Sequence, residues 1–288
     1  MPVSNRNTST KKQILLYVGD GAGPIMIKHT LKTLQTFFST NYIVTTTTAK
    51  YLTTEPDWES RTALLVIPGG RDLPYVRDLS GTANKRIVEF VTKKGGKYLG
   101  LCAGGYYASD RIEFEMGTPL QVAGPRELKF FPGLCKGCVY PGFDYRNENG
   151  ARAIAINIAS PLSGGDDDHG CDESIKRKMP RQLKVYYNGG GYYVDAKNFK
   201  NQKVRVWATY AVDRDGKKTD MAAIVARKYQ RGGFAVVTGL HPEVIPTDLN
   251  PKFYTVPENK NLVSDLTAVN GDRVVFLTSM FMRMGLKV

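Results

Sequence analysis

The chain has 288 residues, 42% hydrophobic and 23% charged, with 40 Lys and Arg against 27 Asp and Glu for a net charge of +13. This composition excludes an intrinsically disordered chain and suits one large globular domain, or a domain with an extension. No apolar run is long enough to span a bilayer, and residues 1–12 lack the apolar centre of a secretion signal, so no membrane partner is expected and the reading is cytoplasmic.

Residues 1–12 are polar and read as a disordered tail. Residues 14–18 form the first expected strand. Gly19-Asp20-Gly21-Ala22-Gly23-Pro24 follows as a turn into a helix over residues 25–38. The turn lacks the Lys-Ser/Thr of a phosphate-binding loop, so it reads as a strand-to-helix turn at the sheet edge or the flank of a pocket. His29 falls inside that helix as a surface or groove residue.

Residues 42–48 are a β-branched strand, and residues 64–67 a buried one that feeds Pro68-Gly69-Gly70. No side chain shields the glycine amides, which suits them to hold an oxyanion. Arg71, Asp72 and Tyr75 come next and are expected on the rim of any site there, with Arg71 either gripping a carboxylate or paired in solvent. Residues 82–93 are an amphipathic helix with Ile87, Phe90 and Val91 on one stripe, stopped by Gly95-Gly96.

The next strand runs into Gly100-Leu101-Cys102-Ala103-Gly104-Gly105-Tyr106-Tyr107. Small residues around a cysteine at the end of an apolar run suit a sharp strand-to-helix elbow that lifts a nucleophile to the tip of a sheet. Far downstream, residues 234–238 are strand-like and end in Gly239-Leu240-His241-Pro242-Glu243. His241 and Glu243 are two apart, so in extended chain both point to one side. Glu243 then fixes the imidazole tautomer while the other ring nitrogen faces Cys102. The Gly69, Gly70 and Ala103 amides complete an oxyanion hole. Three such strand ends gather at one edge of an open parallel sheet.

Between these motifs the pattern changes to shorter strands at residues 126–131, 151–158, 183–187, 192–194, 204–210 and 221–226, an antiparallel portion that extends the sheet. Tyr187-Asn188-Gly189-Gly190-Gly191-Tyr192-Tyr193 is either a lid over the site or a hairpin with paired aromatics. Cys135, Cys138, His169 and Cys171 are a conceivable zinc set, but the last two sit one residue apart and the spacer is long, so free thiols, no metal and no cofactor are expected. Prolines 246, 251 and 257 mark a linker-like stretch in a 246–288 extension, whose helix over residues 271–284 packs on the main domain or binds a partner. The basic residues, as at Lys176-Arg177-Lys178, form no single helical stripe. They suit a small, anionic substrate or ligand as well as nucleic acid, and no nucleic-acid motif is present.

Gly100-Leu101-Cys102-Ala103-Gly104, Pro68-Gly69-Gly70 and His241-Pro242-Glu243 occur in the order seen in class I glutamine amidotransferase-like domains, which the chain resembles. Ile67-Pro68-Gly69-Gly70-Arg71-Asp72-Leu73-Pro74-Tyr75, Arg126-Glu127-Leu128-Lys129-Phe130-Phe131-Pro132-Gly133 and Tyr187-Asn188-Gly189-Gly190 are similar to the N-terminal domain of eukaryotic biotin–protein ligases. The resemblance implies an α/β, flavodoxin-like fold over residues 13–245, with a mostly parallel sheet and an antiparallel extension. It implies a Cys102–His241–Glu243 triad acting on an amide or related carbonyl through a thioester, with Arg71, Asp72, Tyr75, Tyr106, Asn188 and Gly189 near the substrate. Amidotransferases usually carry Gln where this chain has Tyr106. There is no Gly-Arg-Gly-Arg-type biotinyl-adenylate loop, so biotin ligation is not expected. The alternatives are a non-catalytic module that binds a small molecule or a biotin-pathway protein, and a basic surface for nucleic acid.

Overall fold

The computed structural model describes residues 11–159 and 173–288. The expected tail over residues 1–12 lies almost wholly outside them. The first half alternates strands and helices: β1 (Gln13–Tyr17), α1 (Pro24–Phe38), β2 (Ile43–Thr47), α2 (Ala49–Thr54), α3 (Trp58–Arg61), β3 (Thr62–Ile67), α4 (Asp72–Leu79), α5 (Thr82–Thr92), β4 (Lys97–Leu101) and the short α6 (Ala103–Tyr107). The second half is mostly strands: β5 (Ser109–Phe114), β6 (Val122–Pro125), β7 (Phe131–Gly137), β8 (Arg152–Ile158), then α7 (Glu173–Lys178), β9 (Gln182–Tyr187), β10 (Tyr192–Tyr193), β11 (Val204–Tyr210), β12 (Ala222–Lys228) and β13 (Phe234–Thr238). Two helices, α8 (Leu262–Ala268) and α9 (Asn270–Arg283), close the chain.

Strands β2-β1-β3-β4-β13 lie side by side and parallel. Beyond β13 the sheet turns antiparallel at β12 and branches, one arm running β10-β7-β5-β6 and the other β11-β8-β9. Alternate residues serve opposite faces, as the pleat requires. Ile14, Leu16, Leu64, Val66 and Val236 pack on one side with Leu34, Phe38 and the α9 residues Phe276, Met280 and Phe281. Leu15, Tyr17, Leu65, Ile67 and Val237 pack on the other with Ile87, Phe90 and Val91 of α5. The expected C-terminal helix therefore lies against the main core. No helix among the described residues is long and apolar enough to cross a membrane.

The register sets up the site. Ile67 pairs with Gly100, and Leu101 pairs with Thr238, so β3, β4 and β13 end level with one another. The Pro-Gly-Gly turn, the cysteine elbow and the His-Pro-Glu turn all leave from that edge.

One stretch departs from expectation. Residues 126–130 are not a strand. Lys129 has φ of 52°, and the Arg126 side chain turns inward, 5% exposed, to meet Asp72. The pairing strands lie on either side, as β6 and β7. An arginine needed in the interior overrides the apolar run that follows it.

Candidate active site

Cys102 sits at the tip of β4 with φ 47° and ψ −104°, a conformation that side chains other than glycine rarely adopt. Its amide donates to Thr238 O at 2.8 Å, and its carbonyl accepts from Tyr106 at 3.0 Å, so the elbow is clamped to β13 and to α6. Gly104 is required here, because a Cβ would collide with the Ile67 carbonyl and push α6 off β3. The thiol is 3.7 Å from Asn188 O.

His241 follows β13, and its amide donates to Tyr186 O at 3.0 Å. Its Nδ1 is 2.8 Å from Glu243 Oε1, and both residues are 3% exposed. The pairing leaves Nε2 for the other side of the ring. Gly69 carries no side chain where one would run into His241 Cε1. Burial alone would push the imidazolium down, but the Glu243 carboxylate and the Cys102 sulfur outweigh it and raise its pKa to about 10.

Two groups that sequence reasoning did not single out, Thr33 and Arg273, help hold this turn, together with His29. Thr33 Oγ1 donates to Glu243 O at 2.8 Å, and Arg273 Nη1 of α9 donates to Pro242 O at 3.1 Å. His29, expected as a surface or groove residue, is buried. Its Nδ1 accepts from the Ile245 amide at 3.2 Å, and burial lowers its pKa. These contacts come from helices remote in sequence, so no local motif announces them.

Cys102 and His241 share a cavity of about 190 Å³ with Gly70, Ala103, Tyr106, Asn188 and Gly189. Gly23, Pro24, Ile25 and Met26 form its flank, which is one of the two roles open to the first glycine turn. Tyr106 is inward-facing and donates to Gly189 O at 3.2 Å. Asp72 lines the cavity, held by Arg126 at 2.7 Å; burial raises its pKa although Arg126 opposes the shift. Arg71 is exposed and lies over the Tyr145 ring at 5.8 Å, beside the mouth. Tyr75 is not on the rim. It is fully buried between Tyr17 and Tyr107, with its hydroxyl on Pro68 O at 3.1 Å. Gly69 abuts the imidazole and is not part of the cavity wall. Sequence reasoning missed Phe143, Tyr145 and Glu148, which lie on one loop and wall the cavity. Their only signal was an aromatic and acidic bias in a polar segment.

Of the conceivable zinc set, Cys135 and Cys138 are buried free thiols whose pKa burial raises. His169 and Cys171 lie outside the described residues.

A family model described as biotin-protein ligase, N terminal, matches residues 12–288. A biotin–protein ligase of Schizosaccharomyces pombe is 39% identical over 231 residues, which cover 80% of this chain and 33% of that protein. The chain thus spans about a third of that relative's length. An uncharacterized protein of Chlamydia muridarum is 33% identical over 237 residues, 82% of each chain. Among solved structures, a ThuA-like protein from Bacteroides uniformis has a TM-score of 0.53 at 10% identity, covering 98% of this chain and 94% of that one. A glutamine amidotransferase from Thermotoga maritima has a TM-score of 0.50 at 14% identity, covering 95% and 97%. At such identities the likeness speaks for the fold, an α/β architecture of the glutamine amidotransferase-like kind.

Proposed function

The chain belongs to the biotin–protein ligase N-terminal family, and on that premise we propose that it is a cysteine-nucleophile enzyme acting on an amide or related carbonyl. Cys102 Sγ passes its proton to His241 Nε2 and attacks the carbonyl carbon, and the Gly70 and Ala103 amides stabilise the oxyanion. The imidazolium of His241 gives a proton to the leaving amine as the thioester forms. Water, activated by the now neutral imidazole, releases the acid and regenerates the thiol. Glu243 holds the ring in one tautomer throughout.

The single observation that carries this reading is the buried His241–Glu243 pair, facing the same cavity as a cysteine held at positive φ. A structural cysteine has no need of a strained elbow, and a structural histidine has no need of a buried carboxylate partner. The test compares alkylation of the three described thiols by iodoacetamide, followed peptide by peptide by mass spectrometry. Cys102 is expected to react at least about ten-fold faster than Cys135 and Cys138, and His241→Ala to abolish the difference. Equal rates overturn the proposal.

A second reading, a pocket that binds a small molecule without turning it over, is favoured by Tyr106. Its hydroxyl is committed to Gly189 O where amidotransferases offer a glutamine side chain. It predicts ligand-dependent stabilisation that survives Cys102→Ala.

A further inference from the structure

The cavity wall has the opposite charge from the rest of the molecule. The protein carries +13, yet the described residues lining the cavity include Asp72, Asp144 and Glu148 and no Lys or Arg. Asp72 is matched by Arg126, and Asp144 by Arg146 at 3.1 Å. Glu148 meets no Lys or Arg within ion-pair distance among the described residues.

Glu148 is nevertheless tightly built in. The Tyr186 hydroxyl donates to its Oε2 at 2.7 Å, and Asn188 Nδ2 donates to the same oxygen at 2.9 Å. Its main-chain carbonyl accepts from Asn259 Nδ2 at 2.8 Å, and Asn259 is 1% exposed. Both side-chain donors fall on Oε2, so Oε1 keeps its acceptor capacity. Asn188 also places its main-chain oxygen 3.7 Å from the Cys102 sulfur, so the carboxylate stands one residue from the thiol. With its amide nitrogen committed to Glu148, Asn188 is left with a buried Oδ1 that has no partner. Around these acceptors the wall is aromatic and aliphatic: Ile25, Met26, Phe114, Phe143 and Tyr145.

A fixed carboxylate without a cation, set among aromatic faces, makes a receptor for a cationic organic group. We propose that Glu148 is the specificity residue of this site and selects substrates in which an aliphatic chain joins the reacting carbonyl to an ammonium or guanidinium group. This names the substrate class of the enzyme proposed above and rests on that reading. It reverses the preference for anions that the overall charge suggests.

The test measures binding to the Cys102→Ala protein by calorimetry, so it does not depend on turnover. Three probes share one chain and differ in charge: N-acetylcadaverine (cationic), N-pentylacetamide (neutral) and N-acetyl-6-aminohexanoate (anionic). The cationic probe is expected to bind about ten-fold tighter than the neutral one, the scale of one charge-assisted hydrogen bond. Glu148→Gln in the same background is expected to remove that preference and leave the neutral probe unchanged, which shows that the fold is intact. The substituted amide still accepts from Tyr186 and Asn188. Equal or tighter binding of the neutral or anionic probe overturns the proposal, as does a lack of cationic binding at millimolar concentration. A cationic preference that survives Glu148→Gln also overturns it. Slow alkylation of Cys102 in the wild type, with the cationic preference intact, defeats the enzymatic reading alone.

Discussion

Arg126 and Asp72 are 54 residues apart and form a two-pronged ion pair beneath the cavity. Nε and Nη2 of the arginine are 2.8 and 2.7 Å from one carboxylate oxygen. The side chains are 4% and 11% exposed, so neither charge is well hydrated. Removing the arginine leaves a carboxylate in a dry place. Arg126→Met is expected to cost about 3–5 kcal/mol at neutral pH by urea denaturation, whereas Asp72→Asn with Arg126→Met recovers most of it. Burial already holds the Asp72 pKa above its ordinary 3.8, and loss of Arg126 raises it further. The single variant is therefore least handicapped in acid, where the carboxyl is protonated, and its deficit grows as pH rises through the shifted pKa.

The imidazole of His241 is raised from 6.5 to about 10 in the folded state. A base whose pKa rises on folding stabilises in full below its unfolded pKa, and the contribution disappears as pH climbs through the folded one. Stability from this group therefore falls between about pH 6.5 and 10. Glu243→Gln and Cys102→Ala each remove one cause of the shift. Either variant is expected to bring the His241 transition down in an NMR titration. A transition that stays near 10 in both defeats this account. With three histidines in the chain, assignment by single substitution is short work.

Gly69→Ala tests the packing against the ring. The added methyl runs into His241 Cε1, and the imidazole, wedged between Gly69 and Glu243, has to rotate away. The expected result is a loss of Cys102 reactivity of about 10²-fold with a stability cost of about 1–3 kcal/mol. Unchanged reactivity means that the ring position is not what activates the thiol.

The motifs Gly100-Leu101-Cys102-Ala103-Gly104, Pro68-Gly69-Gly70 and His241-Pro242-Glu243 were legible because each ends an apolar run, and parallel strands bring their ends to one edge. Tyr75 was misread because it closely follows the Pro-Gly-Gly turn in sequence, whereas α4 turns its ring inward onto Tyr17 and Tyr107. Glu148 was invisible for a different reason. Its loop has no periodicity, and its meaning comes from Tyr186, Asn188 and Asn259, which only the folded sheet brings beside it. Strands β6 and β7 were blurred because Gly and Pro interrupt them, so alternation is short. Local pattern reports which face is buried. It does not report which remote polar group waits there.

Helix α9 does two separable jobs, and two substitutions distinguish them. Phe281 is 1% exposed and stacks edge-on to Phe38 at 4.7 Å and to Phe37 at 5.3 Å, so it belongs to the core alone. Phe281→Ala is expected to cost about 3–5 kcal/mol while the folded fraction alkylates at Cys102 at the wild-type rate. Arg273 lies about two turns earlier on the same helix. It is 8% exposed, braced by Asn270 at 2.8 Å, and donates to the carbonyl of Pro242 between the histidine and the glutamate. Arg273→Met removes that donor and a charge that faces Glu243. About 1–3 kcal/mol of stability goes with it. Because the turn also loses its fixed angle, Cys102 alkylation slows by more than the folded fraction explains and the His241 transition shifts. If both variants change stability alone, α9 only fills the core and the histidine turn holds itself.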